Sequence, residues 1–406
     1  MKITHIHIER FRGFQNEDFE VGSLLTAIAG QNGTQKSTLL GIITQTFTLK
    51  TEDSMRVEKP LCGGSYISAF KDKFRLSPTF DKPKGHEWTI SFDAGMDDFT
   101  VESIKRTGDP NVRFWKKGAR QEGDGYISFP TIFLSLKRLV PVAEEAKIIT
   151  DDTLLTQEEL NEFKQLHNKI LIAQTPISSA TTITSKNKQS IGVSTELYDW
   201  NQNSMGQDNL GKIILALFSF KRLHDKYPRQ YKGGILAIDE MDATMYPASQ
   251  VELLKVLRKY ASKLNLQILF TTHSMSLLKA MDDLVQEVTK KEETANQAKI
   301  LYLKKVDDKI AIKQGVNFKG IQLDLNVVGE GNNRKKNRIT AYTEDKENIL
   351  FVKAILKSKA FVLDFVDVTL PCSTLMELVT KRVPAFIYPY SCLLYTSDAA
   401  DDMQCV

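Results

Sequence analysis

The sequence predicts an α/β fold centred on a mixed sheet, and three observations carry that expectation. An apolar run at 23–29 passes through a Gly-rich turn into an apolar helix, from Thr38 to about Phe47. Two more short apolar runs, 235–238 and 266–270, each end in a polar cluster, Asp239-Glu240 and Thr271-Thr272-His273. Runs so short and so uniformly apolar suit strands buried on both faces. The interval from Thr38 to Ser204 adds strand-like segments at 86–92, 99–105, 112–117 and 131–136, expected as β-rich insertions.

Taken in order, Ile3, Ile6 and Ile8 mark an opening strand, followed by Arg10-Phe11-Arg12-Gly13-Phe14. His5 and His7 alternate with isoleucines, so they are expected to share a strand face rather than form a metal site. The turn reads Gly30-Gln31-Asn32-Gly33-Thr34-Gln35-Lys36-Ser37-Thr38. Strand, Gly-rich turn and helix together form the context of a phosphate-binding loop. Its backbone N–H groups and helix N-terminus cradle phosphates, its Lys reaches the β/γ-phosphates, and its Ser binds Mg²⁺. Gln35 stands where that pattern carries its second glycine, so its side chain is expected to crowd the phosphates or alter the loop backbone; a decayed loop is the alternative.

An amphipathic helix is predicted over 157–172, and the Ser/Thr/Lys-rich 178–189 reads as a loop. No sustained heptad pattern crosses this interval, which excludes long coiled-coil arms. Ser204-Met205-Gly206-Gln207 opens an apolar-periodic helix through Leu210, Ile213, Ile214 and Leu217. The same residues also read as an ordinary helix cap. Tyr246-Pro247 opens the next helix, Pro being favoured in a first turn. Residues 299–314 predict a hairpin turning at Asp307-Asp308, and 329–338 is a Gly/Asn-rich basic stretch, read as a solvated linker with a phosphate-backbone contact as the alternative.

Four motifs in this order resemble the nucleotide site of ABC/SMC-type P-loop ATPases. The resemblance implies that Gly30, Asn32, Gly33, Thr34, Gln35, Lys36, Ser37 and Thr38 bind ATP and that Ser37 and Asp239 hold Mg²⁺. By the same likeness Glu240 polarises the attacking water, Asp242 is a D-loop aspartate, and His273 contacts the γ-phosphate. Ser204, Gly206 and Gln207 resemble the S-x-G-Q signature, which binds ATP held by an opposite protomer. ATP binding is therefore expected to need a homodimer or higher oligomer. The opening strand and Arg10–Phe14 resemble the start of SMC-like and RecF-like ATPases.

Beyond the basic stretch, a β-α-β-α-β order is expected: strand 339–343, helix 348–357, strand 361–369, a helix from Cys372 to about Lys381-Arg382, and strand 383–388. It resembles the start of a TOPRIM domain, in which Glu344 would be the first metal ligand; the usual acidic residue four further on is Asn348. Glu344 to Glu347 also read as acidic residues at a helix start. The expected units are 1–328, 329–338, 339–391 and 392–406. The last reads as non-native: Cys392-Leu393-Leu394-Tyr395-Thr396-Ser397-Asp398-Ala399-Ala400-Asp401 is the translation of a short-read library adapter, so the TOPRIM part is expected to be truncated. An ABC-type head followed by TOPRIM resembles the OLD family of ATP-dependent nucleases. That likeness implies ATP-gated DNA cleavage in phage defence, with DNA and a neighbouring defence-system protein as partners. An ATPase subunit that recruits a separate nuclease, and a RecF-like repair ATPase, remain open.

Bulk properties set few further bounds. The 406 residues allow two or three domains, and a net charge of +4 does not itself argue for nucleic acid. The four cysteines show no CxxC spacing, and no apolar run of about 18 residues suits a membrane span. A cytoplasmic protein without membrane contact is expected.

Overall fold

Successive residues of a strand face opposite sides of its sheet, and this alternation sorts the centre of the chain into two cores. The computed structural model describes residues 1–66, 70–77, 79–93, 95–105, 112–118, 125–139, 148–151, 154–185, 189–327, 339–369, 371–381 and 391–394. The chain divides into two units, Met1–Asn326 and Val327–Val406.

In the first unit a six-stranded sheet runs in the order Lys309–Lys313, Ala298–Val306, Leu25–Gly30, Leu266–Thr272, Gly234–Ile238, Thr131–Leu134. Five strands are parallel, and Lys309–Lys313 closes one edge antiparallel, so the sheet is mixed. Leu25, Ala27, Ala29, Leu236 and Ile238 enter one core, against the helices Met205–Lys226, Pro247–Lys263 and Met275–Thr289. Ile28, Ile235, Ala237 and Leu269 enter the other. There the helix Lys36–Thr44 contributes Leu39, Leu40, Ile42 and Ile43. Its outer wall is an antiparallel sheet in the order Phe14–Glu20, Ile3–Phe11, Glu87–Phe92, Phe99–Lys105, Val112–Lys116. Ile6, Ile8 and Trp88 are fully buried in it, each such side chain contributing about 1.5–3 kcal/mol of hydrophobic stabilisation.

Because the central strands are parallel, the segments leaving Gly30, Leu134, Ile238 and Thr272 all emerge at one edge. Ligands of open α/β sheets bind at that edge, and it is where the sequence motifs converge.

Several expectations need correction. The helix after the Gly-rich turn starts at Lys36 and ends at Thr44, not 38–47. The stretch 178–189 is not a loop: Ser179–Thr184 and Gln189–Ser194 pair antiparallel. Threonine is β-branched and fits a pleated surface, and Ile183, Ile191 and Val193 give the pair a buried side. The strand expected over 131–136 stops at Leu134, and a short 3₁₀ turn, Leu136–Leu139, follows. The hairpin at 299–314 forms as Ala298–Val306 and Lys309–Lys313, with Asp307 left-handed in the turn. His5 and His7 lie on one face, both against Asp18.

The second unit has Ile339–Thr343 in the middle of a parallel sheet, flanked by Leu363–Thr369 and Ser391–Leu394. Helices Lys346–Leu356 and Cys372–Thr380 provide the crossovers that parallel neighbours need. The basic stretch 329–338, the strand expected at 383–388 and residues 395–406 lie outside the described residues. Ser391–Leu394, which lies mostly in the stretch expected to be non-native, forms the strand described on the other side of Ile339–Thr343. Among the described residues, no helix is long and apolar enough to cross a membrane.

Candidate nucleotide site

The strand Leu25–Gly30 ends in a backbone bend that glycine makes easy: Gly30 has φ 153°. A β-carbon there would lie 2.5 Å from the Leu303 carbonyl oxygen and 2.8 Å from Thr34 Oγ1, so glycine is required. Gly33 (φ 79°) has open space where a side chain would be. Thr34 is buried and donates its hydroxyl to the Gln31 carbonyl at 2.8 Å, bracing the turn. Asn32, Gly33 and Ser37 are exposed.

Gln35 adopts the left-handed conformation, φ 63° and ψ 31°. That conformation is what the missing glycine would supply at no cost, and a non-glycine residue holds it at roughly 1–3 kcal/mol. The Gln35 side chain folds toward Gly13, whose missing β-carbon leaves room for it. The Gly-to-Gln departure therefore leaves the loop backbone in its left-handed form. Gln35 caps nothing with its side chain, and the first turn of Lys36–Thr44 carries no acidic residue. The first N–H groups of this helix thus lack side-chain acceptors, which favours an anion there.

The Lys36 ammonium donates to the carbonyls of Gly30 at 3.0 Å and Gln31 at 2.9 Å. Burial pushes its pKa down to about 8, against the pull of Glu240, Asp239 and Asp242. Ser37 donates its hydroxyl to Asp239 Oδ1 at 2.9 Å, and Thr271 donates to the same oxygen at 2.7 Å. The loop, the strand Gly234–Ile238 and the strand Leu266–Thr272 therefore meet on one carboxylate. The Ser37 hydroxyl and Asp239 carboxylate form an oxygen-only donor pair, which suits a hard cation such as Mg²⁺.

Glu240 also stands in the left-handed region, at φ 50°. Its amide donates to Thr271 Oγ1 at 2.6 Å, and its carbonyl accepts from Arg138 Nη2 at 2.7 Å. Asp242 accepts from the His273 amide, 3.4 Å from each carboxylate oxygen. Burial first, then the Lys36 charge, lowers the His273 pKa below its ordinary value. A neutral imidazole can then accept or donate beside the Lys36 ammonium.

The signature-like residues stand differently. Ser204 is the N-cap of Met205–Lys226: its hydroxyl accepts from the Gln207 amide at 3.3 Å, and the Gln207 side chain accepts from the Ser204 amide at 2.8 Å. This is a complete capping box. Ser204 is exposed, and Met205 is 42% exposed. Gly206 lies where a β-carbon would come 2.5 Å from the Thr244 carbonyl oxygen, so the start of this helix rests on the segment after Glu240.

Glu344 follows Ile339–Thr343 in the second unit and is half-buried. Its neighbour Asp345 caps Lys346–Leu356, accepting from the Asn348 amide at 2.7 Å. Among the described residues, no three His, Cys, Asp or Glu side chains gather as a metal site.

Two residues that sequence reasoning missed sit at the centre of the first unit's site. Arg138 is buried and donates to Asn209 Oδ1, Glu240 O, Leu134 O and Ser135 O. Asn209, also buried, donates to the Ala243 carbonyl at 3.0 Å. Leaving a buried polar group of such a network without its partner costs about 1–3 kcal/mol. In sequence Arg138 follows Leu136-Lys137 and looks like a solvated basic residue, with no local signal of its burial.

A phosphate loop, an acidic strand end and a histidine-bearing strand end, gathered at one edge of a parallel-centred sheet, define a P-loop nucleotide-binding fold. Residues 136–278, which hold all the motifs except the phosphate loop itself, match the AAA ATPase domain family. The described fold is α/β with a mixed sheet, and the stretch 136–278 within it is similar to an AAA ATPase domain. No curated protein matches its sequence. Among solved structures, an SMC head domain from Thermotoga maritima is 14% identical, covers 78% of this chain and 100% of its own, and has a TM-score of 0.43. An SMC head with an extended coiled coil, bound to the C-terminal domain of ScpA derived from Pyrococcus furiosus, is 12% identical, with 81% and 100% coverage and a TM-score of 0.45. The recombination mediator protein RecF is 12% identical, with 77% and 98% coverage and a TM-score of 0.39. Likeness at this level does not carry function across.

Proposed function

We propose that this protein binds and hydrolyses Mg·ATP in a site completed by a second copy of the chain, and that turnover gates DNA cleavage through the unit that begins near residue 339, in phage defence. The observation that carries the ATPase reading is the Asp239 carboxylate, joined at once to Ser37 of the phosphate loop and Thr271 of the neighbouring strand. Ser37 and Asp239 would hold Mg²⁺, which supplies positive charge for the phosphoryl oxygens. Lys36 leaves the loop carbonyls and donates to the β/γ-phosphates. The N–H groups of Gly33 to Lys36, at the uncapped helix start, surround the phosphate oxygens. Glu240, held by its amide and its carbonyl, accepts a hydrogen bond from the attacking water and orients it. His273, exposed at the end of Leu266–Thr272 and near the Lys36 charge, senses the γ-phosphate.

The two-copy site is supported by what surrounds Ser204. Gln207 Nε2 donates to Tyr198 Oη at 2.8 Å, and the neighbouring Leu197 is 81% exposed. Tyr246, following the Thr244 segment that backs Gly206, is 47% exposed. Exposed apolar side chains beside a polar anion-binding turn are what an interface covers. The DNA-cleaving part rests on the parallel β-α-β order of Ile339–Thr343, Lys346–Leu356 and Leu363–Thr369 in the second unit and on Glu344 directly after its first strand.

Glu240→Gln removes the carboxylate charge that polarises the attacking water while leaving the phosphate contacts. ATP should bring this variant to twice its monomer mass by light scattering and hold it there, while the wild type cycles back as ATP is spent. A monomer mass for the ATP-bound variant would sink the two-copy site.

A further inference from the structure

The backbone of Glu240 needs support. Its φ of 50° is strained for a side-chain-bearing residue, and a general base must be held in place to orient water. The Thr271 hydroxyl fixes its amide from one side. The carbonyl is fixed by Arg138, whose guanidinium is fully enclosed.

That guanidinium forks. Nη2 donates to Glu240 O at 2.7 Å, and Nε donates to Asn209 Oδ1 at 2.7 Å. Nη1 is anchored on Leu134 O and Ser135 O, at the end of the edge strand Thr131–Leu134. Asn209 then reaches back, donating Nδ2 to Ala243 O at 3.0 Å. The segment 240–243 is gripped at both ends by one pair of side chains. Asn209 sits one turn after Gly206 on the same helix face, and Gly206 backs onto Thr244. The pair therefore connects the turn carrying the water-orienting carboxylate to the helix that begins at Ser204.

We propose that Arg138 and Asn209 are a positioning pair: they set the backbone of Glu240 for water attack and tie that setting to the helix opened by Ser204. Neither residue touches the phosphate loop among its hydrogen-bond partners, so the pair acts on turnover rather than on nucleotide capture. A planar fork is required because two acceptors, Glu240 O and Asn209 Oδ1, are served in different directions by one rigid group. An ammonium on a flexible stem serves one of them at a time. The inference rests on the ATPase reading above.

The test compares wild type, Arg138→Lys, Asn209→Asp and the double variant. Asn209→Asp keeps an acceptor for Arg138 Nε and removes the donor to Ala243 O. Steady-state ATP turnover, the affinity for a fluorescent ATP analogue and thermal melting are measured on each full-length protein. Each single variant should lose about 10²-fold in kcat, bind the analogue within about threefold of wild type and stay folded at the assay temperature. Because the two residues act in series, the double variant should be no slower than the worse single one. The inference is overturned if turnover stays at the wild-type rate in either single variant. It is equally overturned if turnover falls only in step with analogue binding or folded fraction, or if the two losses multiply. A folded wild type that never turns over ATP overturns the ATPase reading and this inference with it; wild-type turnover with unaffected variants overturns this inference alone.

Discussion

Two helices begin at the edge where the motifs meet, and their first turns are in opposite conditions. Lys36–Thr44 opens without a side-chain cap and without an acidic residue, after a left-handed Gln35. Met205–Lys226 opens with a full capping box, Ser204 and Gln207 satisfying each other's amides. An uncapped start leaves amide donors for an anion, whereas a capped start has already spent its strongest acceptor on itself. The phosphate-loop half of the site is ready to bind within one chain. The signature-like half is closed on its own helix, and in the proposed two-copy site its exposed Ser204 hydroxyl acts only when a second chain carries a phosphate to it. On the proposed reading the difference orders the events: capture of nucleotide belongs to one chain, and completion belongs to two.

The largest effect should come from separating those two halves by mutation. Lys36→Ala removes the ammonium that the loop carbonyls now hold, and both nucleotide affinity and turnover should fall by at least about 10²-fold. Ser204→Arg fills the exposed turn with a long side chain but leaves the phosphate loop intact. It should bind ATP like the wild type, remain a monomer and turn over about 10²-fold more slowly. Equilibrium binding and turnover, measured on both variants, check the separation. If Ser204→Arg loses binding as severely as Lys36→Ala, the two halves are not separate, and capture itself needs the second copy.

The sequence carried the parts of this site that consist of consecutive residues. Gly30 to Thr38, Asp239-Glu240 and His273 are each tied to a strand end, and a strand end is visible as the limit of an apolar run. It did not carry the parts that join distant segments. Arg138 lies 71 positions from Asn209 and 102 from Glu240, and nothing in either neighbourhood marks a buried arginine. The stretch 178–189 failed for a different reason. Its Ser/Thr richness resembled a loop because the residues that give the strand pair its buried side, Ile183, Ile191 and Val193, are split between two strands. Threonine runs are ambiguous until the partner strand is known. Gln35 is the converse case: the departure from glycine was visible, but only φ showed that the loop keeps its left-handed turn.

A smaller effect concerns protons. Burial holds free Lys36 at about 8, down from 10.5. Bound phosphates add negative charge beside it and raise that value, so the bound state holds more protons than the free state between the two pKa values. The sign is fixed: nucleotide binding should take up a fraction of a proton at about pH 8.5 and almost none at about pH 7. Titration calorimetry in two buffers of different ionisation enthalpy reads this directly. Ser204→Arg should show the same uptake as the wild type, because the proton belongs to the half that acts alone. Equal heats in both buffers at the higher pH would mean that Lys36 does not leave its carbonyls for phosphate.

The smallest effect tests the open helix start itself. Gln35 holds a left-handed conformation that glycine adopts without strain, and its Oε1 is buried without a hydrogen-bond partner. Gln35→Gly relieves both, while it gives the unfolded chain more freedom to lose. The opposing terms should leave stability within about 1 kcal/mol of wild type and leave turnover within about twofold, since the amides that face the phosphates are unchanged. Gln35→Val is the sharper control. A β-branched side chain at this φ is badly strained, so the loop should open and nucleotide affinity should fall with stability. Thermal melting and ATP affinity distinguish the outcomes. If Gln35→Gly alone cuts turnover by tenfold or more, then the glutamine amide itself serves the phosphates. The first helix start would then have a side-chain contribution after all, and the contrast between an open and a self-capped turn would no longer explain why capture needs only one chain.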